Sequence, residues 1–226
     1  MNKFQLNFTL LILLFSISFL FLSCDKGSFN KKSSKSEYDK KVEQELNSGI
    51  KNDDIFMTFR FGDSKNTVKN KFHKLRQEGK ISLNDYREYE YKFVFNEYEM
   101  TNGYASFSQK FHNGKLYKFR MMVKPHDDMK EFGSSASYKM VQLKSESLFN
   151  NLSILYMDKY GSPISRKNTL NNKDDRFWID GNRQIEISLA DGFVNIFYTD
   201  LFVLKQMEEE TRKNMTEQAT STKTDI

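Results

Sequence analysis

The sequence predicts an α+β fold built on an antiparallel sheet, and three observations predict it. Apolar residues alternate in two groups of three strand-length runs. Glycine-containing turns separate the runs within each group. A stretch with helical apolar spacing precedes each group. Hairpin-linked strands are antiparallel, so each group is a meander. Helices laid on such a sheet bury its apolar rows.

In chain order, Ile55 to Phe61 alternates enough for a short strand. Gly62-Asp63-Ser64 then starts a helix that runs to about Glu78, with Val68, Phe72 and Leu75 on one stripe and Gly79 placed to end it. Tyr89, Tyr91, Phe93 and Phe95 share a face of the next strand. Thr101-Asn102-Gly103 turns the chain, and Ala105, Phe107 and Phe111 share a face of its neighbour. Asn113-Gly114 is a strong hairpin signal, because a type I′ turn needs positive φ; Tyr117, Phe119, Met121 and Val123 line the third strand.

A polar loop from Lys124 to Ser137 leads to a second helix, Tyr138 to Lys159, with Val141, Leu148, Leu152, Leu155 and Tyr156 as its core positions. Gly161 and Pro163 stop it. The second meander has Phe177-Trp178-Ile179, the turn Asp180-Gly181-Asn182, alternating Ile185, Ile187 and Leu189, the turn Asp191-Gly192, and then Val194, Ile196 and Tyr198. The expected architecture is two helix-then-three-strand units, with the helices mainly on one face of the sheet. A last helix spans about Asp200 to Lys213 and docks through Leu201, Leu204 and Met207. Phe193 and Phe197 make the final strand apolar on its other face too, so that helix or a partner covers it.

The ends of the chain differ in composition. Met1 to Cys24 reads as one early cation, Lys3, an apolar run to Leu22, then Ser23-Cys24. A basic start, an apolar core and a small residue at the cut mark a secretory signal. The run is shorter than the roughly 20 residues that span a bilayer. Cys24 is the only cysteine and ends the run. An uncleaved N-terminal helix, with Gln5 and Asn7 tolerated, and a plain secretory signal with an ordinary thiol are the alternatives. Residues 24–52 form a polar tether with a short helix from Glu37 to Leu46. Its early part has too little apolar surface to offset ordering entropy. Lys26, Lys31, Lys32 and Lys35 either touch anionic headgroups or are simply solvated. The domain is expected over 53–213, and 214–226 is expected to be disordered.

Phe21-Leu22-Ser23-Cys24 and the run before it resemble bacterial lipoprotein signals of the relaxed, spirochaete (Borrelia) type. The resemblance implies a signal over 1–23, a diacylglyceryl thioether on Cys24 and an acylated amine. It departs from the stricter pattern, which prefers Leu at the position of Phe21 and a small residue at that of Leu22. Two or more acyl chains give stable anchoring, at ~0.8 kcal/mol per buried methylene. The helix-then-three-strand plan, with Phe61-Gly62-Asp63-Ser64 and Phe111 to Leu116, is similar to small envelope lipoproteins of the outer-membrane-assembly (SmpA/OmlA) kind, and to tandem-repeat inhibitory proteins that hold a partner on such a sheet.

The formal charge of +5 falls to +4 without Lys3, and acidic residues are interspersed with basic ones. That pattern argues against a nucleic-acid footprint. Acylation would consume the thiol and leave no disulfide, thiolate or cysteine metal site. His73, His112 and His126 are the only imidazoles, and no His-x-x-x-His or His-Glu-x-x-His pair exists for zinc. Gly133 to Ser137 lacks the nucleophile-elbow pattern, and no phosphate-cradling glycine motif is present. His126-Asp127-Asp128, with Asp174-Asp175, is the nearest approach to an acid–base cluster.

The expected protein is therefore a lipoprotein anchored in the membrane through Cys24, outside the cytoplasm and in the outer membrane rather than the inner. It has no cofactor or metal and no enzymatic activity, and serves as a binding or structural module for an envelope protein or a host ligand. The alternative is an envelope hydrolase whose loop carboxylates are gathered by folding.

Overall fold

A computed structural model describes residues 35–95, 101–126, 134–168 and 173–221. Helix α1 spans Glu37–Ser48 and α2 spans Lys65–Gln77. Strands β1 (Ser82–Leu83), β2 (Tyr89–Phe93), β3 (Gly103–His112) and β4 (Lys115–Pro125) follow. Helix α3 spans Ser134–Tyr160. Then come β5 (Ile164–Lys167), β6 (Asp174–Asp180), β7 (Arg183–Ala190), β8 (Phe193–Asp200) and α4 (Leu201–Ser221).

The strands form one eight-stranded sheet in the order β1-β2-β3-β4-β8-β7-β6-β5, with every pairing antiparallel. The fold is α+β with a C-terminal helix. Strands β4 and β8 meet at the centre in the register Phe119↔Tyr198, Met121↔Ile196 and Val123↔Val194. The period of two puts these six side chains on one face, and none is more than 2% exposed. The turn after β3 is the one Asn113-Gly114 announces, with φ of 49° and 73°.

Helix α2 starts on the Ser64 cap, whose hydroxyl accepts from the Thr67 N–H, and buries Val68, Phe72 and Leu75. Phe72 packs on Tyr89, Phe107 and Phe119. The segment Phe61-Gly62-Asp63-Ser64 locks this helix to the β3–β4 hairpin. Gly62 donates to the Leu116 carbonyl at 2.9 Å, and Leu116 donates to the Asp63 carbonyl at 2.9 Å. Helix α3 lies against β4, β7 and β8, burying Leu148, Phe149, Leu152 and Tyr156. Leu155, expected in that core, is 47% exposed, and Phe149 takes an inward position instead.

Four other expectations need correction. Ile55 to Phe61 is not a strand. Met57 has φ of +54°, and the chain doubles back through Phe59 N–H to Phe56 O and Ile55 N–H to Phe59 O, leaving only the isolated bridge Asp54↔Arg60. The short edge strands β1 and β5 carry too little alternation to be read from the sequence. Helix α4 continues to Ser221, past the expected end at Lys213.

The fourth correction concerns the tether. Cys24 and the rest of residues 24–34 lie outside the described residues. From Lys35 onward the chain belongs to the same compact unit as the sheet. Helix α1 has a reciprocal Ser36–Asp39 capping box and ends at Gly49 in the left-handed region. Tyr38 packs edge-on against Phe177 at 5.1 Å and its hydroxyl bonds Gln184. Phe177 and Gln184 point away from the face that carries Trp178 and Ile185, so α1 lies on the opposite side of the sheet from α3. Helix α4 packs on α1 and β8.

Candidate functional site: an aromatic trough at an open strand edge

Strand β3 is longer than its neighbour β2. Their pairing stops at Glu90↔Ser106, while β3 continues to His112 against β4 alone. From Phe107 to Phe111 the outer edge of β3 has no strand partner among the described residues. This edge is ~17 Å long at the usual rise per residue. Beside it lies a trough of about 640 Å³ floored by Val68, Phe72, Tyr89, Phe107 and Phe111.

The floor is rigid. Phe72 and Tyr89 stack at 4.8 Å with an 8° interplanar angle, and Phe107 packs on Phe119 at 5.7 Å. The Tyr89 hydroxyl is 3.1 Å from His73 Nδ1. Cations rim the trough. Lys65 lies over the Phe111 ring at 5.7 Å, and Lys69, Arg87 and Arg120 add to the lining. Arg120 is held by Asn195, its Nε donating to Oδ1 at 2.9 Å. Arg87 sits at φ of +61° in the turn before β2. A side-chain-bearing residue held there costs of order 1 kcal/mol or more, and Arg87 is exposed at the mouth. An open edge beside an apolar pocket is the arrangement that takes an added strand from a partner: main-chain bonds give affinity and alternate side chains enter the pocket.

A second cavity of about 650 Å³ lies between the Asp54–Met57 loop, Phe93, the end of α3 and Arg183. Its polar groups are mostly used internally. The Tyr156 and Tyr198 hydroxyls bond each other, and burial pushes both phenols up, so they stay neutral. Arg183 donates to the Asp54 carbonyl at 2.8 Å and to Asp180 at 2.8 Å. This arrangement seats the 53–61 loop.

The carboxylates raised by the hydrolase alternative divide as follows. Asp127 and Asp128 lie outside the described residues. His126 follows β4, packs its ring against Tyr104 and donates its backbone N–H to Asn102. Asp174 and Asp175 open β6, with β8 and β7 between them and β4, a separation of ~14 Å at the usual strand spacing. Asp175 accepts from Asn168 at 2.9 Å, and burial raises its pKa. His126 and these two aspartates line none of the cavities described above. His112 is 3.7 Å from Glu210 of α4. Among the described residues no three His, Cys, Asp or Glu side chains are grouped to hold a metal, and no helix is long and apolar enough to cross a membrane.

Sequence reasoning missed the trough. Phe107 and Phe111 were legible as core-facing residues, but the site depends on β3 outrunning β2, a register property. Comparison of the chain with protein-family models, with curated proteins and with solved structures finds no match.

Proposed function

We propose that this chain is a bacterial envelope lipoprotein, anchored through a diacylated Cys24, whose α+β domain is a non-enzymatic binding module. It holds an extended segment of a partner protein along the open edge of β3. The observation that carries the binding half of the proposal is the Phe107–Phe111 edge, unpaired among the described residues, beside an aromatic, cation-rimmed trough. The anchoring half rests on a lone cysteine at the end of an apolar run, in a sequence that resembles a spirochaete-type lipoprotein signal. In this reading the domain is two units, each a helix followed by the three expected strands with one short edge strand added, with α2 and α3 mainly on one face, while α1 and α4 stand on the other. The protein faces outward or into the periplasm from the outer membrane. Its partner is an envelope protein or a host ligand, and the cationic rim favours a segment carrying carboxylates.

A photo-crosslinking residue at Ser108 or Lys110, both exposed on the open stretch of β3, tests the binding half in cells. One discrete adduct from these positions, lost on Lys65→Glu or Phe111→Ala and missing from a probe at exposed Lys167, supports the edge as the site. Adducts of equal yield from Lys167 would remove it.

A further inference from the structure

Helix α3 is apolar on two sides. Its inner side packs on the sheet. On its outer side Met140, Leu143, Ile154 and Met157 are 41, 52, 48 and 40% exposed. With Ser147 and Asn150 they fall at spacings of three, four, three, four and three residues, the a/d pattern of a coiled-coil seam. At 100° per residue this seam lies opposite the buried stripe of Leu148, Leu152 and Tyr156. A seam of this kind is rarely left against water.

We propose that the seam is the interface of a twofold homodimer in which two α3 helices pair antiparallel. An isologous contact must be complementary to itself, and this seam is. Reversed about its midpoint, Met140 meets Met157 of a second copy, Leu143 meets Ile154, and Ser147 meets Asn150. Apolar positions face apolar ones, and at the centre Ser147, whose hydroxyl accepts from Thr101 at 3.1 Å in its own chain, meets Asn150, whose side-chain oxygen accepts from Arg176 at 3.4 Å. A polar pair there lowers stability but selects one register.

The charges agree with this direction. Lys144 and Asp158 lie on one flank of the seam, at e positions, and helical side chains lean toward their own N-terminus. In the antiparallel pair the Lys144 of each copy and the Asp158 of the other converge, giving two symmetric ion pairs. A parallel pair would instead align Lys144 with Lys144 and Asp158 with Asp158, and would set the helix dipoles side by side.

The seam from Met140 to Met157 is ~26 Å long at the helical rise and ~10 Å wide. Allowing for side-chain relief, the pair buries on the order of 1,000 Å², at the low end for a specific interface. The dimer is therefore reversible. None of the six seam residues lines the trough at the β3 edge.

The test uses two differently tagged full-length copies in the same cells, one carrying Leu143→Cys and the other Ile154→Cys, treated with a short membrane-permeant bis-maleimide. The expected product is a covalent heterodimer bearing both tags, at several-fold higher yield than either copy gives with itself. Leu143 and its own symmetry mate are separated by ~16 Å along the antiparallel seam. The unsubstituted pair, treated alike, controls for Cys24. A dominant Leu143-to-Leu143 product means parallel pairing and overturns the proposal, as does the lack of any product above the control. Adding Met157→Glu to the Ile154→Cys copy should reduce the heterodimer at least fivefold, with an unchanged circular dichroism spectrum showing that the fold is intact. Unreduced yield in a folded variant also overturns it.

Discussion

Replacing Gly181 by alanine should destabilise the domain far more than the same change at a glycine with equal backbone strain and free space. Gly181 has φ of +60°, and a Cβ there would lie 2.5 Å from the Ile50 carbonyl oxygen and 3.0 Å from its carbon. The left-handed conformation alone costs an L-residue ~1–2 kcal/mol. The clash is with backbone, so residues 50–52 must move. That movement strains the bonds from Asn52 N–H to Asn182 Oδ1 at 2.6 Å and from Gly181 N–H to Glu45 at 2.9 Å. At ~1 kcal/mol for each bond lost, the total is ~3–4 kcal/mol. For a domain of this size each kcal/mol lowers Tm by roughly 2–4 °C, so Gly181→Ala should lose about 6–16 °C in thermal denaturation followed by circular dichroism. Gly79 is the control: its φ is +68° and nothing lies within 4 Å of a Cβ there, so Gly79→Ala should cost only the ~1–2 kcal/mol of strain. Equal losses for the two variants would refute the claim that α1 and its linker are built into the domain.

Three shorter predictions follow from other parts of the molecule. Burial raises the pKa of Glu186 above the ordinary 4.5, offset only in part by Lys118 and Arg166. The folded state then binds the proton more tightly than the unfolded one, and this group's contribution is full below 4.5 and lost as pH rises through its folded value. Glu186→Gln should accordingly raise Tm at pH 7 and leave it nearly unchanged at pH 4; the reverse order would contradict the sign. Trp178 is the only tryptophan and 4% exposed, with its indole N–H donated to the Gly161 carbonyl at 2.7 Å. Its fluorescence should resist iodide quenching, and Trp178→Phe should cost ~1–3 kcal/mol in urea denaturation from the orphaned carbonyl and lost volume. Tyr198→Phe leaves the Tyr156 hydroxyl buried without the partner it has now and should cost ~1–3 kcal/mol by the same assay; a neutral result would mean that the pair contributes nothing to the core.

The sheet was legible where local rules decide the outcome. Alternation at Tyr117, Phe119, Met121 and Val123, and at Ile185, Ile187 and Leu189, marks these runs as strands, and Asn113-Gly114 names its turn through positive φ. What escaped depends on distant partners. Helix α1 has little apolar surface and no buried residue. It is held by an edge contact between rings at positions 38 and 177 and by polar bonds to the 180–182 turn, which no local pattern reveals. Leu155 sits beside Tyr156 and fits an apolar helix stripe as well as Phe149 does. Only the direction of the sheet decides between them. Ile55 to Phe61 has the composition of a strand, but the turn at Met57 folds it into a loop. The trough draws on α2, the β1–β2 turn, β2, β3 and β4, and its opening exists only because two neighbouring strands end at different places.

The account turns on display of this domain at a membrane through Cys24. Mass spectrometry of the N-terminal peptide, taken from protein purified out of the membrane fraction, tests that most directly. The account predicts a peptide that begins at Cys24 and carries the mass of a diacylglyceryl group plus an amide-linked acyl chain, with Cys24→Ala shifting the protein out of that fraction. A peptide that begins at Met1, with a free thiol at Cys24, would contradict it.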